Sequence, residues 1–446
     1  MVEDPIRVAV IGSGPAGLYA ADALVAQDDL PVEVDILDRL PTPYGLLRYG
    51  VAPDHLKIKS IITVLSRVFE GGKVRFIGGV DLGVDLSRDD LRRHYDAVIY
   101  ATGAAVDRPL QIPGEDLPGS HSATDFVNWY SGHPDAEQPF ELDAEAVAVI
   151  GVGNVAVDVT RILAKTVKEL EHTDLPPHVL DVLAGSSIRT LHMIGRRGPE
   201  HAKFTTKELR ELGELSGADV EIDPAEVAQG DDEPVLDKVA KGNMAVLKNW
   251  AGQEPIGKPR RIELRFWLRP VEIIGTDRVE ALRLEHTELD ADGRVSGTGR
   301  FETIPVQLVL RAVGYRSIPL PGIPFDESRG VVANEDGRIV GDEGDATGEY
   351  VAGWLKRGPV GVIGTNKGDA AETVRAVIAD QQRSDAHRAE SREPIEVLLE
   401  ERGVQAVTYD GWLAIDAEEI LRGSADGRKR VKVTDWATLR TLGGGA

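Results

Sequence analysis

Two short apolar stretches of this chain each run into a glycine-rich turn and then into a segment rich in alanine and aliphatic residues. The first stretch is Ile6–Ile11 and the second is Ala146–Ile150. A continuous apolar run of this length is typical of a buried strand in a parallel sheet. We therefore predict an α/β fold that contains two separate strand–turn–helix units.

The first turn carries three glycines, Gly12, Gly14 and Gly17. In dinucleotide-binding folds the first glycine permits the tight turn, the second lets the backbone approach a pyrophosphate, and the third lets the helix pack against the strand. A second predicted strand, 32–37, ends at Asp38, where an acid can accept hydrogen bonds from a ribose. Strand, turn, helix and acid together predict a dinucleotide site.

The second turn differs from the first in the charge at its far end. It has the sequence Gly151-Val-Gly-Asn-Val-Ala156, and alanine is an accepted third residue where helix and strand pack closely. The next predicted strand, 188–194, leads to Arg196-Arg197 rather than to an acid. Two guanidiniums suit the 2′-phosphate of NADPH, which an aspartate would repel. We therefore assign FAD to the first turn and NADPH to the second; the alternative for the arginine pair is an ordinary solvated turn.

Further stretches extend the pattern towards the C-terminus. Apolar strands that end in small residues are predicted within 96–103 and 308–316, where a cofactor can approach the backbone closely. Residues 380–394 are almost wholly polar and are typical of the exposed end of a helix or of a short linker. Apolar spacing returns in 395–442, and we expect that segment to pack on the FAD-binding domain.

Composition excludes several classes of protein. The chain has no cysteine, which removes disulfides, cysteine-ligated zinc, iron–sulfur clusters and paired redox thiols, and we expect no metal site. The net charge of −23 argues against general nucleic-acid binding. No apolar run approaches the ~20 residues of a membrane span, and the first strand begins too early to leave room for a signal peptide. We expect a cytoplasmic protein without membrane association.

One segment runs against the acidic average. Residues 238–269 hold eight basic side chains against two acidic ones, a local balance of +6. Such a stretch is either a solvated surface or a docking patch for an acidic partner. The basic residues are Lys238, Lys241, Lys248, Lys258, Arg260, Arg261, Arg265 and Arg269.

Four longer blocks point to a known family. They are Leu40–His55 (LPTPYGLLRYGVAPDH), Gly195–Pro199 (GRRGP), Phe204–Leu212 (FTTKELREL) and Gly353–Lys367 (GWLKRGPVGVIGTNK). In these blocks the chain resembles the adrenodoxin-reductase-type ferredoxin–NADP(+) reductases, especially their bacterial FprA-like branch, and the resemblance covers nearly the whole chain. It implies two Rossmann-like dinucleotide-binding domains. An NADP domain at 106–324 would be inserted into a discontinuous FAD domain at 1–105 and 325–446, the latter part including a C-terminal extension.

The resemblance also implies a set of cofactor contacts. Two departures from the family's pattern bear on them: Asp38 stands where a glutamate is common, and Tyr44 where an indole is often found. Trp354 taken alone is also compatible with an ordinary core position. FAD contacts are implied for Ala16, Asp38, Leu46 and Leu82, with Trp354, Gly361, Val362 and Ile363 at the flavin ring and Gly361 also near the nicotinamide. NADPH contacts are implied for Arg108, Gly153, Asn154, Val155, Ala156, Arg196, Arg197 and Glu208.

His55 and Glu211 match positions that the family places close to the flavin and the nicotinamide. A histidine with a pKa near neutrality can handle the protons that accompany electron transfer. The alternatives are that His55 caps or orients a turn and that Glu211 is an exposed helix residue. We expect neither to be indispensable, because the redox chemistry belongs to the cofactors.

These features predict an enzyme, a ferredoxin–NADP(+) reductase. It would pass electrons from NADPH through FAD to a separate one-electron carrier, a ferredoxin or a similar acidic protein that docks near 238–269, and the flow could run in either direction. Two alternatives stay open. One is an NADPH-dependent flavin monooxygenase or diaphorase, although no motif for an organic substrate is evident, and the other is a non-catalytic NADPH-binding sensor.

Overall fold

The computed structural model describes residues 4–136, 140–228, 236–341 and 344–444. The chain divides into two compact units. The first comprises Met1–Val106, Gly132–Pro134 and Tyr315–Ala446, and the second comprises Asp107–Ser131 and Asp135–Gly314. Residues 315–324 belong to the first unit in this division, whereas the family resemblance assigns them to the NADP domain.

The strands and helices alternate along much of both units. The strands are β1 (Ile6–Ile11), β2 (Val32–Asp38), β3 (Val74–Gly78), β4 (Ala97–Tyr100), β5 (Val106–Asp107), β6 (Ser120–Ser122), β7 (Ala146–Ile150), β8 (Thr190–Ile194), β9 (Ala218–Ile222), β10 (Arg260–Arg265), β11 (Leu268–Ile274), β12 (Ala281–Leu289), β13 (Val295–Pro305), β14 (Leu308–Arg311), β15 (Tyr315–Arg316), β16 (Phe325–Asp326), β17 (Val331–Val332), β18 (Asn334–Glu335), β19 (Arg338–Gly341), β20 (Gly344–Val351) and β21 (Val407–Thr408). The helices are α1 (Pro15–Ala26), α2 (Leu46–Tyr49), α3 (Leu56–Lys59), α4 (Ile62–Leu65), α5 (Arg88–His94), α6 (Ala123–Ser131), α7 (Asn154–Ala164), α8 (Val167–Leu170), α9 (Pro177–Ala184), α10 (Thr206–Gly213), α11 (Pro224–Ala228), α12 (Lys238–Ala251), α13 (Trp354–Arg357), α14 (Thr365–Gln381), α15 (Ile395–Glu401), α16 (Tyr409–Ala425) and α17 (Trp436–Gly444).

An eight-stranded sheet forms the centre of the first unit, in the order β18-β19-β20-β4-β1-β2-β3-β21. Strands β20, β4, β1, β2 and β3 are parallel to one another. Both faces of β1 are buried: Val8 and Val10 pack in one hydrophobic cluster, and Ala9 and Ile11 in another. This explains why the strand reads as a continuous apolar run. The order β3-β2-β1-β4 is that of a dinucleotide-binding fold, which binds its ligand at the carboxyl ends of the strands.

A six-stranded parallel sheet forms the centre of the second unit, in the order β6-β14-β7-β8-β10-β9. One face packs with helices in a cluster that includes Val147 and Val149 of β7. The other face, through Ala148 and Ile150, packs with the antiparallel sheet β11-β12-β13. That three-stranded sheet therefore covers one side of the parallel sheet where a Rossmann fold usually places helices.

The end of the chain behaves partly as expected. Within 395–442, Trp412 and Ile415 of α16 are buried in the same cluster as β1, as predicted. On the same helix, Leu413 and Leu421 are 45% and 66% exposed. Among the described helices, none combines the length and apolar character that crossing a bilayer requires.

The polar stretch 380–394 contains the end of a helix and a connecting segment. Helix α14 ends at Gln381, and the residues after it are hydrogen-bonded to the segment that leads into β4, a central strand of the sheet. Buried Asp96 accepts from the backbone N–H of Ala389 at 3.0 Å and from the guanidinium of Arg392 at 3.0 Å. The prediction of a helix end is confirmed at 380–381. The connecting residues after it are held by hydrogen bonds to a buried carboxylate.

Candidate functional site

The first glycine turn has the close backbone packing that its sequence predicts. Gly12 has φ +110°, and a Cβ at this position would lie 2.6 Å from the carbonyl oxygen of Ala101, at the end of β4. A Cβ at Gly17 would lie 1.9 Å from the Gly12 carbonyl oxygen, so α1 packs directly on the turn. No described atom lies within 4 Å of a Cβ built on Gly14. The turn thus leaves open space at the position where a pyrophosphate would meet the N-terminus of α1.

Asp38 lies at the end of β2, beside this turn. One carboxylate oxygen accepts from the backbone N–H of Ser13 at 2.7 Å and from its hydroxyl at 2.5 Å, and the other accepts from the N–H of Leu40 at 2.9 Å. Burial raises the pKa of the Asp38 carboxyl, and the hydrogen bonds from Ser13 act in the opposite direction. An ionised carboxylate has about four acceptor sites, so the hydrogen bonds to Ser13 and Leu40 leave acceptor capacity for a ribose hydroxyl.

The block that contains Trp354 lies against the same turn. Gly353 has φ +73°, and a Cβ there would lie 2.5 Å from the Cβ of Ala16. Trp354 follows at the start of α13 and stacks on Tyr315, with ring centroids 5.6 Å apart. Its buried indole N–H has no hydrogen-bond partner in the part of the chain that the structure describes. A buried donor of this kind fits a position beside a polar cofactor ring.

The expected flavin turn follows α13. Gly361 has φ +93°, and Val362 is 61% exposed while Ile363 is partly buried. The Thr365 hydroxyl accepts from the N–H of Val362 at 3.2 Å. The turn therefore presents its backbone and the exposed side chain of Val362 at the surface.

The block 40–55 also approaches the first turn. Tyr44 is buried with φ +85°, a strained conformation for a tyrosine, and its N–H donates to the Ser13 carbonyl at 3.1 Å. A Cβ at Gly45 would lie 3.0 Å from the Cα of Gly14. Leu46 is 36% exposed at the start of α2. The strain at Tyr44 is maintained where the block meets the proposed cofactor site, as is common at functional sites.

The second turn repeats the geometry of the first. Gly151 has φ +140°, and a Cβ there would lie 2.2 Å from the carbonyl oxygen of Ala312, just after β14. No described atom lies within 4 Å of a Cβ built on Gly153, and Ala156 is fully buried where α7 packs. Val155 is partly buried and packs against the same core. Asn154 accepts from the N–H of Thr205 at 2.9 Å, which ties the turn to the start of α10.

Arg196 and Arg197 lie in the turn that follows β8. The Arg196 side chain is exposed and that of Arg197 is partly buried. The Nε of Arg197 is buried and makes no hydrogen bond with any residue that the structure describes. A buried guanidinium N–H without an acceptor fits an anionic ligand such as a phosphate.

Glu208 and Glu211 lie on α10 and contact a buried cation. Arg161 of α7 is 1% exposed, and its guanidinium lies 3.7 Å from the Glu208 carboxylate and 3.5 Å from that of Glu211. It also pairs with Asp158 at 2.8 Å. Glu211 accepts in addition from Lys207 at 3.2 Å and is 24% exposed, so it is not a fully exposed helix residue.

The remaining predicted residues are placed as follows. His55 is 9% exposed and precedes α3, where its carbonyl accepts from the N–H groups of Ile58 and Lys59. Leu82 is partly buried beside the core of the first unit, and Arg108 is exposed in the second unit. His55 belongs to the first unit and Glu211 to the second. Their predicted role in handling protons beside the flavin and the nicotinamide stays a prediction.

Comparison with known proteins identifies the family. Residues 6–194 match the family described as pyridine nucleotide-disulphide oxidoreductase. The chain is 44% identical to the NADPH-ferredoxin reductase FprA of Mycobacterium tuberculosis, over 98% of this chain and 99% of that protein. A solved structure of M. tuberculosis FprA in complex with NADPH has a TM-score of 0.93 and 45% identity, and covers 99% of this chain and 100% of its own. The chain belongs to the FprA-like reductases.

A plant relative widens the comparison. The mitochondrial NADPH:adrenodoxin oxidoreductase of Arabidopsis thaliana is 40% identical over 98% of this chain and 95% of that protein. These matches confirm the predicted family resemblance and the α/β fold with two Rossmann-like units. The absence of cysteine separates this FprA-like chain from reductases that store electrons on a thiol pair beside the flavin.

Sequence reasoning missed two buried ionic contacts of this FprA-like reductase. Arg161 was not singled out, although its spacing to Asp158 places both on one side of α7. The pair Arg48–Glu419 joins the block 40–55 to α16 and is also fully buried. The spacing of Asp158 and Arg161 does not indicate burial, because a basic residue in an amphipathic helix is normally exposed. Arg48 and Glu419 lie 371 residues apart, so the sequence carried no signal for their contact.

The basic segment 238–269 is less available than its sequence indicated. Arg260 is partly buried and donates to the backbone carbonyls of Ala164, Lys165 and Ile188. Among the described residues, at least five of the eight basic side chains of the segment are engaged within the chain: Lys258, Arg260, Arg261, Arg265 and Arg269. The segment is therefore not one continuous cationic surface, and its exposed lysines are on α12.

Proposed function

We propose that this chain is an FAD-dependent ferredoxin–NADP(+) reductase that takes electrons from NADPH and passes them to a one-electron iron–sulfur carrier. The observation that carries the proposal is the opposite charge at the far ends of the two glycine turns. The first ends at the carboxylate of Asp38 and the second at the guanidiniums of Arg196 and Arg197. One chain thus provides two dinucleotide sites with different ribose preferences.

The first unit would hold FAD. Gly12, Gly14 and Gly17 would accommodate the pyrophosphate at the N-terminus of α1, Asp38 would accept from the ribose, and Trp354 would lie beside the ring. The turn 361–363 would contact the ring through its backbone. Bound FAD supplies the conversion between two-electron and one-electron chemistry. The protein's work is to bind, orient and shield it.

The second unit would hold NADPH. Gly153 to Ala156 would bind its pyrophosphate at the N-terminus of α7, and Arg196 with Arg197 would bind its 2′-phosphate. Arg108 and Glu208 are proposed as further contacts. Glu208 and Glu211 are held by Arg161, which lowers the cost of placing their carboxylates near a polyanionic ligand.

His55 and Glu211 are proposed to handle protons rather than to perform the redox step. Both are polar groups with restricted exposure, and histidine is the residue type best suited to proton transfer near neutral pH. Substitution of either should slow the reaction rather than abolish it. The carrier is proposed to be a ferredoxin, and the cytoplasm remains the expected location.

Rapid mixing under anaerobic conditions tests the assignment. The purified protein should be yellow, and its flavin absorbance should bleach quickly with NADPH and much more slowly with NADH. The variant Arg196→Ala/Arg197→Ala should lose most of this preference, because each guanidinium contributes a charge-assisted hydrogen bond of about 1.5–3 kcal/mol to the 2′-phosphate.

A matched pair of arginines provides the control. Arg294→Ala/Arg300→Ala removes two exposed arginines from the same unit and should leave the preference unchanged. A colourless protein, or a flavin that NADPH fails to reduce, would contradict the reductase proposal and favour the sensor.

A further inference from the structure

The Arg196-Arg197 turn is fixed through its backbone by residues far along the chain. The carbonyl of Gly195 accepts from the N–H of Leu268 at 3.1 Å, and the carbonyl of Arg196 accepts from the Thr287 hydroxyl at 2.9 Å. The carbonyl of Arg197 accepts from the N–H of Trp267 at 3.3 Å. Three consecutive carbonyls are therefore each bonded to a donor outside the turn.

We call the three donor residues Trp267, Leu268 and Thr287 the bracket of this turn. Trp267 is its central residue. It connects β10 to β11 with φ +59°, a conformation that non-glycine residues rarely adopt. Its carbonyl accepts from the N–H of Thr287 at 2.8 Å. Its ring covers Gly198, where a Cβ would lie 2.4 Å from the Cζ2 atom of the indole. Backbone strain that is maintained by this many contacts indicates a functional constraint.

The bracket belongs to the three-stranded sheet rather than to the Rossmann sheet. Thr287 lies on β12, and Trp267 immediately precedes β11. Ile150 and Ile194, the last residues of β7 and β8, pack in the same hydrophobic cluster as Leu268 and Leu284 of the small sheet. The small sheet thus holds the loop that follows β8 in one position.

We propose that Thr287 and Trp267 are positioning residues for the 2′-phosphate of NADPH, and that they help determine the preference for NADPH over NADH. This inference rests on the proposed function, since it requires NADPH at the second turn. Fixing the three carbonyls orients the two guanidiniums before the ligand arrives, so less conformational entropy is lost on binding. Both residues act through the turn and neither needs to touch the ligand.

The two residues contribute in different ways. The Thr287 hydroxyl satisfies the carbonyl of Arg196, and its loss frees the peptide that carries the exposed arginine. The Trp267 ring limits the movement of Gly198, which has no side chain of its own. A phenylalanine at 267 should retain most of the ring contact with Gly198. An asparagine would tolerate the left-handed backbone but would lose this contact.

Binding of two small probes separates the positioning role from general damage. 2′,5′-ADP carries the 2′-phosphate and 5′-AMP lacks it, and calorimetry measures the affinity of each for the holoprotein. Thr287→Val should weaken 2′,5′-ADP about fivefold, which is the effect of one ordinary hydrogen bond on an equilibrium constant, and should leave 5′-AMP unchanged. Trp267→Asn should do the same, and Trp267→Phe should resemble the parent.

Thr298→Val is the matched control. Its hydroxyl donates to the carbonyl of His286 at 3.0 Å on the same small sheet, so it loses the same kind of bond without involving the turn. It should bind both probes like the parent. Unchanged 2′,5′-ADP affinity in Thr287→Val, or an equal loss for both probes, would overturn the positioning role. A parent protein without any preference for 2′,5′-ADP would instead overturn the NADPH assignment, and the inference with it.

Discussion

Arg48 and Glu419 form a buried ion pair within the first unit. Their side chains are 3% and 0% exposed, and two hydrogen bonds of 3.0 and 2.5 Å join the guanidinium to the carboxylate. Glu419 also accepts from the N–H of Val433 at 2.9 Å, and Lys432 donates to the Arg48 carbonyl at 3.0 Å. The pair therefore joins α16, in the C-terminal part of the chain, to the block 40–55.

Removing one member of this pair should lower the free energy of unfolding far more than removing both members. Glu419→Ala leaves Arg48 buried without its carboxylate, and we expect the free energy of unfolding to fall by about 3–5 kcal/mol. Arg48→Met/Glu419→Leu should lose much less, because both desolvation costs disappear together. Urea unfolding of the holoprotein measures the difference.

The neighbouring pair Glu418–Arg422 is the control, since it lies on the same helix but is 31% and 40% exposed. Glu418→Ala should lower the free energy of unfolding by about 0.5 kcal/mol. The pH dependence gives a second test. Burial alone would raise the pKa of Glu419, but Arg48 lowers it overall. The stability from Glu419 should thus be present above the ordinary glutamate pKa and be lost as the pH falls below it. Equal costs for Glu418→Ala and Glu419→Ala would contradict this account.

Helix α11 carries Glu226, a carboxyl group whose pKa is shifted in the opposite direction to that of Glu419. Glu226 accepts from the N–H of Phe266 at 2.6 Å and lies 3.7 Å from the Arg265 guanidinium. Burial raises its pKa to about 7, although the bond from Phe266 opposes the shift. Glu226 therefore anchors the end of β10, one residue before Trp267, and does so as a group that titrates near neutrality.

The direction of the pH effect follows from this raised pKa. The folded protein binds the Glu226 proton more tightly than the unfolded chain, so stability should decrease as the pH rises from about 4.5 to about 7. Glu226→Gln should remove this dependence. At pH 8 the variant should be more stable than the parent, by up to about 3 kcal/mol, and at pH 4 the two should match.

Glu263→Gln provides a control of opposite sign on β10. The hydrogen bond to His192 lowers the pKa of Glu263, so the neutral variant should be less stable than the parent at pH 8. Thermal unfolding across this pH range compares the three proteins. A Glu226→Gln variant that is less stable than the parent at pH 8 would show that the carboxylate form is the favoured one.

Over the whole molecule, local patterns were predictable and long-range partnerships were not. The strands at 6–11 and 146–150 appear with the predicted bounds, and 188–194 begins two residues later, at Thr190. A glycine turn between a strand and a helix is specified by neighbouring residues, so its signal is complete in the sequence. The burial of Arg260 within the basic segment was not predictable, because its acceptors lie about 70–100 residues before it.

Long separation along the sequence also explains why the hydrogen bonds of the stretch 380–394 and of the turn at Arg196 were not predicted. Asp96 lies nearly 300 residues before Arg392, and Thr287 lies 91 residues after Arg196. Hydrogen bonds of this kind depend on the completed topology rather than on spacing along one element. Residue types could therefore indicate which cofactors bind, but not what holds the binding turns in place.

The overall charge of the molecule leads to a prediction about the carrier. A chain with a net charge of −23 repels an acidic ferredoxin at long range, so productive docking requires a local positive surface. Arg261 and Arg269 of 238–269 are exposed but paired with carboxylates, and the exposed lysines of α12 form a separate group of positive charges at the surface. Lys238, Lys241 and Lys248 are exposed and fall on one side of the helix by their spacing.

Reversing these three charges should weaken reduction of an acidic ferredoxin while leaving reduction of a small dye by NADPH unchanged. The loss in kcat/KM should be greatest at low ionic strength and shrink as salt shortens the Debye length from about 30 Å at 0.01 M to about 8 Å at 0.15 M. A triple reversal at the exposed residues Lys168, Lys429 and Arg440 changes the net charge equally. If both triples slow the ferredoxin reaction alike, net charge rather than α12 governs the encounter. If only the α12 triple does so, the carrier docks on that helix.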